Sequence, residues 1–279
     1  IMKARIKFQK YGAMKFIGHL DVMRYFQKAF RRAGYDNEYT KGFNPHQIMS
    51  FAAPLGLGLT SDGEYVDISL LSSQAPKDMV EKINNVLTEG FKVVGFHLLR
   101  EPGQNEKHVN AMSLVSKADY LVSLKDGYLL KDGLQAQDKF KEAFEKFYAK
   151  QEIFINKKTK TSQKLVDIKP MISMVSFSYE EFAEKLKNYL GQVKRPVNDE
   201  RSFSLETESV ADVYENGIKV YMQVATGSAS NLKPELVMEA FCQEFDIDYN
   251  PYAWQVHRLE LYTEEEDSGK LIPLDCLDK

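Results

Sequence analysis

The order of predicted strands and helices is the feature that most limits the fold of this 279-residue chain. An alternating strand, an amphipathic helix, two strands, a second helix and a last strand follow one another before residue 100. The same order returns after residue 116, with one interruption. This repeat predicts an α+β fold, with two ferredoxin-like βαββαβ halves and mainly antiparallel sheets.

The predicted domains follow from this repeat. A polar, turn-rich segment at 100–110 separates a first domain, 1–100, from a second domain, 117–279, which carries a helical insertion near 176–216. The acidic end, 263–279, is expected to be loosely held. In the first half the predicted strands are 2–9, 48–53, 64–71 and 91–99, and the helices are 20–33 and 76–87. In the second half the strands are 119–124, 153–156, 164–168, 217–227 and 254–262, and the helices are 134–150, 179–190 and 234–245.

Positive charge is concentrated near the beginning of the chain. Residues 1–50 carry ten Lys or Arg and three Asp or Glu, whereas the whole chain has a net charge of −3. A basic segment in an acidic protein favours a local site for an anion over general coating of a polyanion. The alternative is that these cations only solvate a strand and a helix.

The predicted helix at 20–33 carries its cations on one face and its apolar residues on the other. Such a face suits a phosphate or a carboxylate, because a guanidinium group can donate two parallel hydrogen bonds to it. A solvated amphipathic surface is the alternative. The candidate anion-binding residues of this face are Arg24, Lys28, Arg31 and Arg32.

The stretch TKGFNPHQIMSFAAPLGLGLTS is too rich in Gly and Pro for a helix. Gly42 admits backbone angles that other residues avoid, and Pro45 restricts the residue before it to an extended conformation. We expect a bend that presents Lys41, Asn44 and His46 to an anionic or polar ligand. The alternative is a loop that only shapes the fold.

Three residues are candidates for acid–base catalysis: His19 at the start of the predicted helix, Asp21 and His46. A histidine that is oriented by Asp21 or Glu64 suits proton transfer near neutral pH. No spacing of a nucleophile and a base is visible in the sequence. Because three mixed ligands without a tight motif are weak evidence for a metal, no metal and no cofactor are predicted.

The chain has two cysteines, Cys242 and Cys276. Two thiols are too few for a disulfide framework, so we expect both to be unpaired in a reducing cytoplasm. No run of about 18 apolar residues is present, and the first residues lack the apolar middle of a signal peptide. The sequence therefore predicts no membrane partner.

The segments FIGHLDVMRYFQKAFRRAG and TKGFNPHQIMSFAAPLGLGLTSDGEYVDI resemble the signature of an uncharacterised bacterial family that is linked to radical S-adenosylmethionine enzymes. Its members are similar to domains that form the C-terminal part of cobalamin-binding radical enzymes or are encoded beside them. The resemblance is close over 3–71, looser to about 175 and again at 231–240. It implies a radical enzyme as the partner and modification of RNA or of a ribosome-related substrate as the process. It assigns no roles to the matching positions, which are Gly18, His19, Asp21, Arg24, Arg31, Arg32, Lys41, Gly42, Asn44, Pro45, His46, Ser61, Glu64 and Asp67.

One function is excluded by the cysteine count. A radical S-adenosylmethionine enzyme needs three cysteines, usually in the pattern CxxxCxxC, to hold its iron–sulfur cluster. Cys242 and Cys276 cannot supply three ligands, so this chain does not perform the radical step alone.

Three classes of function remain. The favoured one is an accessory module that binds an anionic substrate such as RNA for a separate enzyme. The others are an enzyme that uses His19 or His46 on an anionic substrate, and a purely structural assembly role. The Lys-rich hairpin tip at 157–164 offers a second contact to a nucleic-acid backbone, or else a solvated loop. Aromatic residues available for base stacking are Tyr11, Tyr25, Tyr39, Phe43 and Phe51.

Overall fold

The computed structural model divides the chain into two compact units. The strands pair mainly antiparallel and the units mix helices with sheet, which confirms the predicted α+β class. Unit 1 consists of 1–116, 190–211 and 258–279, and unit 2 consists of 117–189 and 212–257. The residues that the structure describes are 1–101, 103, 108–131, 133–158, 163–192 and 197–277.

Unit 1 contains the candidate catalytic and anion-binding residues. Its helices are α1 (His19–Arg32), α2 (Pro76–Asn84) and α3 (Ala111–Leu114). Its strands are β1 (Met2–Lys10), β2 (Asp36–Asn37), β3 (Met49–Phe51), β4 (Thr60–Ser72), β5 (Phe91–Leu98), β10 (Ser202–Ser204), most of β12 (Trp254–Glu264) and β13 (Leu271–Pro273).

Unit 2 holds the remaining elements. Its helices are α4 (Gln137–Tyr148), α5 (Tyr179–Lys187) and α6 (Pro234–Glu244). Its strands are β6 (Lys117–Leu124), β7 (Phe154–Lys158), β8 (Gln163–Asp167), β9 (Ile172–Ser176), β11 (Lys219–Ala225) and the first four residues of β12. Among the described residues, no helix is both long and apolar enough to cross a membrane.

Strand β1 lies at the centre of unit 1, where it pairs antiparallel with β4 and with β5. The order is β10–β5–β1–β4–β12, with β2 and β3 on β4 and with β13 on β12. Successive side chains of a strand point to opposite faces. Ala4, Ile6 and Phe8 accordingly share one face and are buried in a core with α1 and α2.

Helix α1 begins and ends within one residue of the predicted bounds. Its apolar face, which includes Phe26 and Phe30, is buried against Phe8 and the rest of the core. Gly34 follows the helix with a φ of +71°, a left-handed conformation that favours glycine at this position. The local pattern therefore predicted both the helix and its end.

Unit 2 has the strand order β12–β6–β11–β9. Strand β9 was not predicted, and the predicted hairpin of β7 and β8 forms a separate two-stranded sheet. Helices α4 and α6 contribute an aromatic cluster in which Phe144 stacks on Phe241 with a centroid distance of 5.0 Å. Burial of such rings removes a large apolar area from water in this unit.

Segments from the second half of the chain belong to unit 1. The predicted insertion near 176–216 is split between the two units. Its residues 190–211 belong to unit 1, where β10 pairs with β5. Residues 193–196 of this insertion, and 102 and 104–107 of the predicted linker, lie outside the described residues. The division into domains 1–100 and 117–279 stays a prediction, because compactness alone does not test independent folding.

The acidic end is packed, which makes the expectation of a loosely held segment wrong. Strand β13 pairs with β12, and Leu271 and Leu274 are buried. Asp275 lies 3.0 Å from the ammonium group of Lys7 on β1. The apolar residues and the ion pair hold this segment in unit 1, although most of its residues are polar.

Candidate functional site

The cationic residues of α1 lie on its exposed face. Arg24, Lys28, Arg31 and Arg32 are all exposed. Nη1 of Arg24 lies 3.7 Å from Oδ1 of Asp21, and both side chains are about two-thirds exposed. Arg32 also donates to the carbonyl oxygen of Val86 at 3.0 Å. These residues form a cationic surface in solvent.

The loop at 41–46 is exposed throughout. Gly42 has a φ of +120°, outside the range that residues with a Cβ atom favour. At the end of the loop, Gln47 donates to the backbone oxygen of Gln27 at 3.0 Å, which ties the loop to α1. Phe43 is fully exposed at the tip. The loop is thus a fixed bend beside α1 that carries an unpartnered aromatic ring.

His46 makes its contacts inside this loop. Its backbone N–H donates to Thr40 Oγ1 at 3.1 Å, and its Nδ1 atom lies 3.2 Å from both Thr40 Oγ1 and the carbonyl oxygen of Asn44. The backbone N–H of Thr40 donates to the carbonyl oxygen of His46 at 2.9 Å. The ring therefore helps to close the bend.

His19 is half-buried at the first position of α1. Its ring meets Phe51 edge-on, with centroids 5.1 Å apart. Burial lowers the pKa of His19, and the nearby charge of Lys10 lowers it further. No contact joins His19, Asp21 and His46 in the described part of the chain, so the structure does not assemble the three candidate catalytic residues.

A buried cluster lies beneath His19, and sequence reasoning missed most of it. Arg258 Nη1 is 3.0 Å from each carboxylate oxygen of Glu64 and donates to the carbonyl oxygen of Ala53 at 2.9 Å. Lys10 is only 1 % exposed and donates to the carbonyl oxygen of Ile17 at 3.2 Å. The cluster therefore places two cations and one carboxylate at the end of the sheet next to the start of α1.

The sequence contained one signal for this cluster. Lys10 follows Ala4, Ile6 and Phe8 at a spacing of two, which extends the apolar face of β1 with a charged residue. A lysine in the register of a core face rarely occurs without a partner. Arg258, which pairs with Glu64 in this cluster, was out of reach of such reasoning, because it lies nearly 200 residues after Glu64.

The other face of β1 is also charged, and its charges are paired. Arg5 is fully buried and binds both carboxylate oxygens of Asp67, at 2.8 and 3.0 Å. Lys7 binds Glu260 at 2.5 Å and Asp275 at 3.0 Å. Burial would lower the pKa of Lys7, but the two carboxylates outweigh it and raise the pKa. The idea that the cations of this strand only solvate it is therefore wrong.

The cysteines and the Lys-rich hairpin tip are the remaining candidate features of the sequence. Cys242 and Cys276 are not joined in a disulfide. No three His, Cys, Asp or Glu side chains are grouped as metal ligands among the residues that the structure describes. The middle of the Lys-rich hairpin tip, 159–162, lies outside them.

Comparison with protein families gives one result. Residues 3–234 match the profile of a family described as an uncharacterised protein conserved in bacteria, DUF2344. The matched part contains α1, the loop at 41–46 and the residues Lys10 and Glu64, whereas Arg258 lies beyond it. A comparison with curated proteins finds no match. Because the profile covers most of its length, this chain belongs to the uncharacterised bacterial family DUF2344.

Proposed function

We propose that this chain is an accessory, substrate-binding protein that works with a radical S-adenosylmethionine enzyme, and that its substrate is RNA or a ribosome-related particle. The observation that carries the proposal is the exposed ring of Phe43 between Lys41 and Asn44, on a loop tied to α1. An aromatic platform beside exposed cations is how many proteins hold single-stranded nucleic acid, since bases stack and phosphates pair with Lys or Arg.

The anion-binding surface then consists of two adjoining parts. The loop supplies Lys41, Asn44 and His46, and α1 supplies its exposed cations. Gln47 supports this arrangement, because its hydrogen bond to Gln27 sets the loop against the helix. Exposed lysine and arginine residues cost little to desolvate when they meet phosphates, and they dominate sequence-independent affinity. The anion-binding residues proposed for α1 are Arg24, Lys28, Arg31 and Arg32.

The radical enzyme is proposed as the partner because of the sequence resemblance and the cysteine count. Cys242 is buried and Cys276 is half-buried, so a cluster with three thiolate ligands would come from another protein. Two cysteines that form no disulfide also support a reducing, cytoplasmic location.

We also infer that each unit contains a ferredoxin-like half. The strand order is β5–β1–β4–β3 in the first series and β12–β6–β11–β9 in the second. In both, the strand that comes first along the chain lies between the strands that come third and fourth, which supports this inference. This topology is shared by many RNA-binding and many unrelated domains, so it agrees with the proposal without carrying it.

An enzyme that uses His19 and His46 as an acid–base pair is less well supported. His46 would have to leave its contacts with Thr40 and Asn44 before it could face His19, whose ring packs on Phe51. An acid–base pair that forms only after a loop has rearranged lacks the pre-organised geometry that accelerates catalysis. The accessory role needs no such change.

The first experiment measures RNA binding. A labelled single-stranded RNA of mixed sequence is titrated with the wild-type chain and with Phe43→Ala. We expect Phe43→Ala to weaken binding by about tenfold or more, because one stacked base is lost. Tyr252→Ala removes another well-exposed aromatic ring, in unit 2, and is expected to bind normally. Equal affinity of wild type and Phe43→Ala would contradict the role of the loop.

The second experiment identifies the partner. The tagged chain is used to capture proteins from an anaerobic bacterial lysate, and the captured proteins are identified by mass spectrometry and assayed for iron. We expect a protein that contains CxxxCxxC and iron, and we expect RNase treatment to leave it bound. If no such protein is enriched over an untagged control, the partnership is wrong even where RNA binding holds.

A further inference from the structure

Three large apolar side chains near the start of α1 and in the loop before β4 are exposed. Phe16, Leu20 and Leu57, the apolar group, are 67 %, 62 % and 66 % exposed. Single exposed apolar residues are common on proteins, but several of them together, rimmed by charge, mark a surface that another molecule covers. The backbone that carries these residues decides whether they form one surface.

A hydrogen bond between two loops brings Leu57 next to Phe16. The backbone N–H of Gly58 donates to the carbonyl oxygen of Lys15 at 2.7 Å. Leu57 precedes the donor and Phe16 follows the acceptor, so the two apolar residues are the chain neighbours of this bond. Both backbone segments are held in place, and a partner that covers them does not have to order the main chain first.

Leu20 extends this surface across the start of α1. Phe16 and Leu20 flank Gly18, and a Cβ atom built at Gly18 would meet nothing within 4 Å. Ile17, the neighbour of Gly18, is partly buried against the core of unit 1. The apolar group is thus continuous with the core, and the open space at Gly18 lies between two of its members. Such a space suits an apolar side chain that enters from a partner.

The rim of the apolar group carries more positive than negative charge. The ammonium group of Lys15 lies 5.5 Å from the centroid of the Phe16 ring. Arg24 is exposed and lies one turn after Leu20 on the same face of α1. Asp21 is the acidic residue of this rim, with its Oδ1 atom 3.7 Å from Nη1 of Arg24. A complementary surface therefore carries more acidic than basic residues.

We propose that the apolar group is a docking surface for an acidic segment of a partner protein, in which a leucine or a phenylalanine is flanked by Asp or Glu. The apolar side chain of this segment enters the open space at Gly18, and its carboxylates meet Lys15 and Arg24. Two members of the apolar group are leucines, which offer no ring for a base to stack on. The exposed carboxylate of Asp21 in the rim is repelled by an anionic lipid surface. A protein segment, which can present both signs of charge, fits this surface better than RNA or a membrane.

This docking surface is separate from the loop at 41–46. The loop is tied to α1 at Gln27, which lies about two turns after Leu20 along the helix. The proposal therefore does not depend on RNA binding at the loop, and it holds whether or not the partner is a radical enzyme.

A peptide selection on the full chain tests the chemistry of the partner. A library of short random peptides displayed on phage is first depleted on the double variant Leu20→Ser with Leu57→Ser and is then selected on the wild type. We expect the enriched peptides to carry a Leu or Phe flanked by Asp or Glu. The proposal is overturned if no peptide is enriched, or if the enriched peptides lack this combination.

Single variants then measure the contributions by calorimetry with a selected peptide. Leu20→Ser and Leu57→Ser are each expected to weaken binding about tenfold or more, because a central apolar contact is lost. Arg24→Glu should also weaken binding and should reduce its dependence on salt. Leu129→Ser, which removes an exposed leucine in unit 2, is the matched control and should bind normally. Wild-type affinity in both Leu20→Ser and Leu57→Ser would refute the surface.

Two other ligands are tested with the same variants. Phosphatidylglycerol vesicles are used in a flotation assay, and a labelled single-stranded RNA is used in a titration. We expect Leu20→Ser to behave like the wild type in both, since its side chain is proposed to contact protein alone. A clear loss of vesicle or RNA binding in Leu20→Ser would assign the apolar group to that ligand and overturn the proposal.

Discussion

Arg5 and Lys10 lie on the same strand and are both inaccessible to solvent, yet their charges are balanced differently. Arg5 has a bidentate carboxylate partner in Asp67, which also accepts from the backbone N–H of Ala111 at 2.8 Å. The ammonium group of Lys10 instead donates to a backbone carbonyl oxygen, that of Ile17. The first arrangement is a buried ion pair, and the second is a buried ammonium group that donates to a backbone carbonyl oxygen.

Removal of the partner of Arg5 is expected to be costly. Asp67→Ala removes the bidentate carboxylate partner of a fully buried guanidinium, so we expect a loss of about 3–5 kcal/mol in the free energy of unfolding. The double variant Arg5→Met with Asp67→Ala should lose clearly less, because no uncompensated charge remains. Urea denaturation measures both.

The matched control is an exposed ion pair. Asp21→Ala breaks the contact with Arg24 on the surface of α1 and should cost about 1 kcal/mol or less. An equal loss for Asp67→Ala and Asp21→Ala would mean that the buried pair contributes no more than a solvated one.

His97 predicts a pH dependence of stability. It is 4 % exposed, neither ring nitrogen has a hydrogen-bond partner among the described residues, and burial lowers its pKa to about 4. The unfolded chain binds the proton near pH 6.5, whereas the folded chain binds it near pH 4. The stabilisation is therefore complete above about pH 6.5 and is lost as the pH falls towards 4, by an amount on the order of 3 kcal/mol.

Denaturation at a series of pH values checks this. His97→Phe is expected to flatten the stability profile between pH 6.5 and 4, whereas Phe96→Leu, its neighbour in β5, should lower stability at every pH without a change of slope. An unchanged slope in His97→Phe would assign the acid sensitivity to other groups.

At the level of elements, two glycines with positive φ differ in the space around them. Gly34 follows α1 with a φ of +71°, and a Cβ atom there would meet nothing within 4 Å. Gly90 precedes β5 with a φ of +100°, and a Cβ atom would lie 2.4 Å from Cγ of Met14 and 3.0 Å from the carbonyl oxygen of Tyr11. Gly34 thus requires only a backbone conformation, whereas Gly90 also requires the absence of a side chain.

Alanine substitutions separate these two requirements. Gly34→Ala is expected to cost about 1–2 kcal/mol because of backbone strain alone. Gly90→Ala should cost more, since the turn at Gly12–Phe16 must also shift away. Guanidinium denaturation gives both values, and a smaller loss for Gly90→Ala would show that Met14 moves aside freely.

The elements themselves were the part of the fold that local patterns predicted well. Helices α1, α2, α4, α5 and α6 all lie within predicted segments, allowing a residue at the ends, because a period of 3.6 and terminal Gly or Pro signals are local properties. The short strands β2, β10 and β13 were missed, since two or three residues carry no measurable period. Their pairing depends on neighbours that are distant in the chain.

At the scale of the whole molecule, unit 1 is assembled from three separate parts of the chain. The last part supplies Arg258 to Glu64, and Glu260 and Asp275 to Lys7. These charges are buried or partly buried in unit 1, and in the part of the chain that the structure describes they are the ion-pair partners of Glu64 and Lys7. The closing segment is therefore part of the structure of the unit and not an appendage.

A fragment experiment tests this. A chain of residues 1–116 alone lacks the partners of Lys7 and Glu64, so we expect no cooperative unfolding transition in urea, as followed by circular dichroism. The full chain, measured in the same way, should unfold cooperatively. A fragment 1–116 with a sharp transition and native-like spectra would instead support an independent first domain.

The sequence by itself determined the classes and limits of the helices, the main strands, the cationic face of α1 and the exposed bend at Gly42, because each depends on residues within a few positions. It also contained Lys10 and Glu64, but it did not show which groups these two residues contact. Only the tertiary structure decided that Arg258 neutralises Glu64 and that Lys10 donates to the carbonyl oxygen of Ile17. Coulomb energy depends on distance and burial in space, and neither can be read from separation along the chain.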